Sequence, residues 1–360
     1  MNYQSNVPKP YDFVSLPQGG KDLKEPAGHK KYRKERIHGV LHLELTVGTA
    51  LHVSTGAVMM GSDVNANVPL IKTMLTDAEK RLIIPGSSLK GTIRSVYEAL
   101  TKSCVCKVKT RGSQKTKNNG KLRYDLKIPN GYKECKPRPQ EIKERRVELC
   151  PACRVFGALG FQGLLEFSDA TVSHTRVETG FMPSLYEPQR DCKKYYINEQ
   201  NQIRKGQLDG RLKGRKFYYH GKKAVSGGQK GIPVQQASQQ YVFETQLPFK
   251  NLTLAELGTL LVALGQDVKY PFALKVGAGK PIGMGSMTVT VKKLEKPESM
   301  CDRYLSYTAD IKPLRGEELQ QFVRKAIAEA KRNLVQLEQL KQLQAILSYP
   351  TDRQPPTGNY

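Results

Sequence analysis

The apolar residues of this chain change period from two to 3.6 and back, twice over. Ile37, Leu41, Leu43, Leu45 and Val47 alternate with His38, His42 and Glu44, which is the signature of a half-buried strand. Turn chemistry at Ile84-Pro85-Gly86-Ser87-Ser88 then leads into a helix to about Leu100, with a serine as N-cap. Its apolar stripe is Leu89, Ile93, Val96, Tyr97 and Leu100. Leu164–Val172 and Gln240–Leu247 read as strands. Thr253 and Glu256 form a capping box for a helix through Leu264, and Ser286–Val291 reads as the last strand. The order β-α-β-β-α-β is that of an α+β, ferredoxin-like or RRM-like core.

This core occupies residues 37–293, behind an N-terminal arm (1–36). Insertions at about 102–153 and about 185–235 interrupt it, and 51–71 is too irregular for a regular element. A helical extension follows over 294–348. It holds one helix, about Glu317–Leu347, with Leu319, Val323, Ile327, Ala330, Leu334 and Leu337 on one face. That face packs either on its own domain or on a partner subunit. The tail, 349–360, reads as disordered.

The 360 residues carry a formal charge of +25, and two segments hold most of it. Residues 101–150 have a net +10 and residues 201–230 a net +8. Both are rich in Gly, Asn and Gln and read as long loops. Tyr124, Tyr132, Phe217, Tyr218 and Tyr219 are interleaved with the basic residues. Bases stack on such rings while Lys and Arg follow the phosphates, so the expected partner is nucleic acid, bound with steep salt dependence. No apolar run reaches the roughly 18 residues of a membrane span. Met1–Gly20 lacks the basic-then-apolar pattern of a secretory signal. The expectation is a cytoplasmic protein with no membrane partner.

Five of the seven cysteines fall within fifty residues: Cys104, Cys106, Cys135, Cys150 and Cys153. Without an export signal, reduced thiols or metal ligands outrank disulfides. The Cys150-Pro151-Ala152-Cys153 turn offers two thiolates from one tight loop, as a tetrahedral zinc requires. Four of the five are expected to hold a structural zinc: Cys150 and Cys153, then Cys135, then one or both of Cys104 and Cys106. Cys192 and Cys301 lie apart and read as free thiols.

Two stretches have the chemistry of phosphate sites. At Ile84–Arg94, the unpaired amides of a helix start are joined by donors on Ser87, Ser88, Lys90 and Arg94. Gly277-Ala278-Gly279-Lys280-Pro281-Ile282-Gly283-Met284-Gly285 lets backbone approach a ligand closely. It is not a Walker A loop, because Pro281 follows Lys280 and a strand follows the loop. Asp63, in a glycine-bearing segment, is a candidate metal ligand for RNA cleavage. His42 and His52 flank this region, and His52 is a candidate neighbour of a phosphate.

Four stretches in one order resemble the RAMP superfamily of CRISPR-associated proteins. They are Leu51-His52-Val53-Ser54-Thr55-Gly56, Ile84–Arg94, Cys150–Gly157 running into Gly163–Ala170, and Gly277–Gly285. Within that superfamily the chain is similar to a backbone subunit of type III effector complexes. Gly214–His220, with Arg215 and Lys216, is similar to a segment of type III-D relatives. The resemblance implies an RRM-like domain serving antiviral defence. Such subunits stack along a guide RNA and position complementary target RNA among other effector subunits. It implies RNA contacts from His52, Ser54, Ser87, Ser88, Lys90, Arg94, Arg215, Lys216, Gly277, Gly279, Lys280 and Gly283. It also implies a projecting thumb, for which Thr73–Lys80 is the candidate, and zinc before the C-P-x-C block. Many members cleave bound target RNA with a loop Asp and Mg2+ or Mn2+, through 2′-hydroxyl attack. Here the family's Asp-x-Pro position holds Asn67, so cleavage falls to Asp63 or is absent.

Two other readings share these features. A metal-independent RNase processing precursor RNA would draw an acid–base pair from residues such as His52 and His220. A zinc-stabilised general RNA-binding protein would carry mixed RNA and no guide.

Overall fold

A computed structural model describes residues 9–106, 111–115, 121–137, 140, 147–172, 177–184, 203–204, 207–297, 305 and 312–356. The strands in chain order are β1 (Tyr11–Val14), β2 (Ile37–Val47), β3 (Ser54–Met60), β4 (Leu70–Met74), β5 (Ile83–Ile84) and β6 (Arg111–Lys115). Next come β7 (Lys121–Lys127), β8 (Gly157–Ala158), β9 (Phe161–Gln162), β10 (Ala170–Val172), β11 (Glu178–Met182) and β12 (Ile203–Arg204). The last are β13 (Gln207–Arg211), β14 (Arg215–Tyr218), β15 (Ile232–Gln236), β16 (Val242–Leu252), β17 (Leu274–Lys275) and β18 (Ser286–Glu295). The helices are α1 (Gly86–Leu100), α2 (Pro151–Phe156), α3 (Leu254–Ala263), α4 (Gly316–Asn333) and α5 (Leu337–Leu347).

The central sheet runs β17-β18-β2-β16-β10-β5. Its four core strands, β18-β2-β16-β10, are the fourth, first, third and second in chain order, which is the ferredoxin-like arrangement. Antiparallel pairing sets Leu45 opposite both Phe243 and Val289, so the period-two stripe of β2 meets the apolar positions of its neighbours. Leu41, Leu43, Leu45 and Val47 are all buried. The two helices of the motif, α1 and α3, pack together, and α3 has the expected capping box, with Thr253 and Glu256 each accepting the other's amide. Tyr97 of α1 meets Phe156 of α2 edge-on, ring centroids 5.3 Å apart.

Several expectations need correction. The region 51–71 is not irregular throughout: β3 and β4 form a hairpin in a second sheet, β11-β15-β4-β3. Strand β3 is exposed along its length, so it has no apolar alternation to read. Of Leu164–Val172, the only named strand is Ala170–Val172; Leu165 makes a single bridge to Phe249. The C-terminal helix is two helices, not one. The chain turns at Leu334–Gln336, where the Gln336 amide donates to the Leu100 carbonyl at the end of α1 (2.8 Å). The amphipathic face continues across the break, and that is why the sequence reads as one helix. Both helices pack on their own chain.

Over their described residues both terminal segments pack on the rest of the chain. The arm contributes β1, which pairs with β14 and buries Val14 completely. Tyr349–Pro356 is laid down rather than disordered: Arg353 stacks over Tyr219 at 3.6 Å, and Lys222 pairs with Asp352 at 2.9 Å. The two basic insertions are not simple loops. Strands β6 and β7 of the first join β12 and β13 of the second in one sheet, β12-β13-β7-β6. Cys192, Cys301 and much of 185–206 lie outside the described residues.

Candidate nucleic-acid groove and thiol cluster

The C-P-A-C turn folds as α2, with Cys150 as N-cap and Pro151 at N1, where its missing amide hydrogen costs nothing. That single turn points Cys150 and Cys153 the same way. Cys104 arrives from just beyond α1, where Ser103 Oγ accepts from the Ala152 amide at 3.0 Å. Cys135 follows Tyr132, whose carbonyl accepts from the Val105 amide and whose hydroxyl donates to the Pro17 carbonyl. The sulfurs of Cys104, Cys135, Cys150 and Cys153 all lie within 4.8 Å of one another, and all four residues are buried.

Tetrahedral zinc with Zn–S near 2.3 Å requires sulfurs about 3.8 Å apart. The Cys104 sulfur is 3.5 Å from that of Cys150 and 3.6 Å from that of Cys153. The donor set therefore fits a thiolate-binding metal such as zinc. Hydrogen bonding from Cys104, then Cys135 and Cys153, holds the Cys150 thiol below its ordinary range. Cys106 stands beside the four, half-buried, 3.2 Å from the Cys104 sulfur. Among the described residues this is the group of metal-ligating side chains that forms, and Asp63 is not part of it.

Arg94 and Arg215 turn inward, toward this cluster. Arg94 Nε meets Glu98 Oε1 at 2.8 Å, and its Nη2 reaches Cys153 Sγ at 3.5 Å. Arg215 Nη1 meets the other Glu98 oxygen at 2.8 Å, and its Nη2 donates to the carbonyls of Ser103 and Cys104. Burial pushes the Glu98 carboxyl up to about 7, against the opposing pull of Arg215. These two arginines tie α1 and β14 to the thiol loops.

The groove lies on the other side of the α1 start. It encloses about 580 Å³ between the first turns of α1, strand β14 and the glycine loop. Ser54, Ser87, Ser88, Lys216, Gly277 and Lys280 line it together, as does Lys275, and its lining holds no carboxylate. The helix starts one residue before the serines, with Pro85 as N-cap and no side-chain cap; the Gly86 amide donates instead to Asp169 Oδ1 at 2.7 Å. That corrects the serine cap and leaves both hydroxyls at the groove. Lys90 lies outside the lining, its pKa lowered by burial and by Arg94. Lys216 sits 3.8 Å over the Tyr11 ring.

The glycine loop is a tight knot. A Cβ on Gly277 (φ +76°) would lie 2.4 Å from the His52 carbonyl, and that carbonyl also accepts the Ala278 amide at 2.8 Å. Gly279 and Gly283 are left-handed and bracket a short 3-10 turn. His52 itself is below the groove, 1% exposed, with Nδ1 on the Gln235 carbonyl at 2.7 Å. Burial lowers its pKa. His220 is equally deep, between Ser286 Oγ and the Ala273 carbonyl, and burial holds it at about 3.

Lys275 escapes a reading by motif. It is 5% exposed, its Nζ lies 3.3 Å from Ser286 Oγ, and burial, then Lys280, lowers it to about 7. A lysine inside Phe272-Ala273-Leu274-Lys275-Val276 was the available signal. Asp63 lies in an exposed 3-10 turn, Gly61–Val64, with Ser62 Oγ 3.3 Å from its carboxylate; Asn67 is exposed nearby.

No helix among the described residues is long and apolar enough to cross a membrane. The family model described as RAMP superfamily matches residues 44–288. No curated protein matches the chain.

Proposed function

The chain belongs to the RAMP superfamily, and from that premise we propose that it is the guide-RNA-binding backbone subunit of a type III effector complex. The carrying observation is the groove, where Lys216, Lys275 and Lys280 meet the α1 start without any carboxylate. Amides and ammonium groups so gathered favour phosphate over any neutral ligand. The guide backbone lies along this groove in the proposal, and complementary target RNA pairs with its bases. The glycine loop offers main chain to the sugar-phosphate in this reading, and a side chain at Gly277 would clash with the His52 carbonyl and open the loop.

The thiol cluster holds zinc in this reading. Cys104, Cys135, Cys150 and Cys153 would be its ligands, and the ion would cross-link the insertion to the end of α1. Cleavage of target RNA rests on Asp63 alone, since Asn67 is a neutral and weak ligand. A divalent ion would supply charge stabilisation for 2′-hydroxyl attack, while the turn at Gly61–Val64 presents the carboxylate to solvent. The alternative processing RNase is disfavoured by burial: His52 and His220 are both closed off from substrate.

Co-expression with neighbouring genes, followed by sequencing of the co-purified RNA, tests the reading. Guide-length RNAs sharing a repeat-derived end are expected, and Lys280→Glu should lose them. A broad RNA mixture released by moderate salt would overturn guide binding.

A further inference from the structure

The two basic insertions, about eighty residues apart in sequence, meet in the sheet β12-β13-β7-β6. Strands β6 and β7 pair antiparallel, with Arg111 opposite Asp125 and Lys115 opposite Lys121. Strand β13 lies parallel to β7, with Gln207 beside Arg123 and Arg211 beside Lys127. Arg204 of β12 pairs with Gln207. Paired residues share a face, and faces alternate along each strand. The register therefore sorts the sheet completely. One face carries Arg111, Lys115, Lys121, Arg123, Lys127, Arg204 and Arg211, against Asp125 and Asp209. The other carries Leu122, Tyr124, Leu126, Ile203 and Leu208, and no charged position.

Such segregation is the pattern of a sheet with one dry face and one wet face. Seven cations against two carboxylates on one face would carry a large desolvation cost if an apolar surface covered them. Solubility alone does not need this arrangement, because mixed charge serves that end. Five uncompensated cations over a patch of about 20 by 14 Å are complementary to a run of phosphates.

We infer that the charged face of the sheet β12-β13-β7-β6 is a second binding surface for an RNA backbone, separate from the groove at the α1 start. The inference rests on the RNA-binding reading above and adds a surface to it. The ligand is a phosphodiester strand, held through charge and not through base edges.

Binding of a fluorescein-labelled synthetic poly(U) strand to the full chain, followed by anisotropy across a salt series, tests it. One variant carries Arg111→Gln, Lys115→Gln, Arg123→Gln and Arg211→Gln; the other carries Lys216→Gln and Lys280→Gln in the groove. Removing four phosphate contacts should flatten the log–log salt slope by about 3 for single-stranded RNA. The groove loss should add to it. An unchanged slope in the sheet variant, with the groove variant still weakened, overturns the second surface and leaves the groove reading standing. Wild-type protein that binds no RNA overturns both. Poly-glutamate competing as well as RNA overturns the assignment to nucleic acid. If the sheet variant misfolds by circular dichroism, ultraviolet cross-linking of wild-type protein to the poly(U) strand decides. Cross-linked peptides from 111–127 and 203–211 are expected, and their absence with cross-links elsewhere sinks the proposal.

Discussion

Among the described residues no carboxylate pairs with Lys275, whose ammonium meets the Ser286 hydroxyl at 3.3 Å. Burial lowers its pKa to about 7, well below the ordinary 10.5. Between those values the unfolded chain binds a proton that the folded chain does not, so this residue makes stability rise with pH. Its penalty is greatest at and below pH 7 and fades toward pH 10.5. Lys275→Met should therefore raise the unfolding free energy by an amount on the order of a few kcal/mol near pH 7, shrinking as pH rises. The same variant should weaken RNA binding. A stability gain independent of pH would mean that packing, and not charge, sets the effect. Residues of this kind resist reading from sequence, because a lysine looks solvated until the fold closes over it. The helix start at Ser87 and Ser88 and the glycine turn around Gly277 and Lys280 were legible as local structure, since turn and glycine chemistry is local. Arg94 and Arg215 were visible as cations, yet their direction depends on Glu98, which sits inside the apolar half of α1 and carried no motif.

At the scale of elements, close approach decides the packing of the C-terminal helices. A Cβ on Gly258 of α3 would sit 1.9 Å from the Ala326 carbonyl and 3.0 Å from the Ala330 Cβ of α4. Gly258→Ala should lose stability although alanine is the better helix former by about 1 kcal/mol, because overpacking against backbone costs about 1–3 kcal/mol and forces α4 away. A denaturant midpoint equal to wild type would place α4 elsewhere. The thiol loops make a second case. Cys153→Ser should lose the metal and melt at lower temperature, whereas Cys106→Ser should keep it, since Cys106 lies beside the four-sulfur group. Metal analysis showing equal zinc in both variants would reject that ligand set. Of the elements that read true, β2 and α1 bury one periodic face, while α3 is buried on nearly every side and was marked by its capping box. The β3–β4 hairpin did not read true, because an exposed strand has no apolar stripe, and neither did the joining of β7 to β13, because parallel pairing between distant segments leaves no local mark.

Over the whole molecule, charge, groove and loop carboxylate bear on separate observables, and Asp63 tells them apart. It lies in an exposed turn, outside both the groove lining and the thiol cluster. Removing one exposed carboxylate from a chain of net charge +25 can only favour a polyanion slightly. Asp63→Ala should thus keep RNA binding at wild-type strength. If Asp63 holds the ion for 2′-hydroxyl attack, the variant should abolish target cleavage, and EDTA should do the same to wild-type protein. Asn67→Asp puts a carboxylate at the position where active relatives have theirs, and it should raise cleavage above wild type in magnesium or manganese. Cleavage that persists in Asp63→Ala and in EDTA would take Asp63 out of the chemistry and return the metal-independent reading. Absence of cleavage in wild type, with gain in Asn67→Asp, would make this chain a guide-holding subunit whose loop has the shape for catalysis and lacks its ligand.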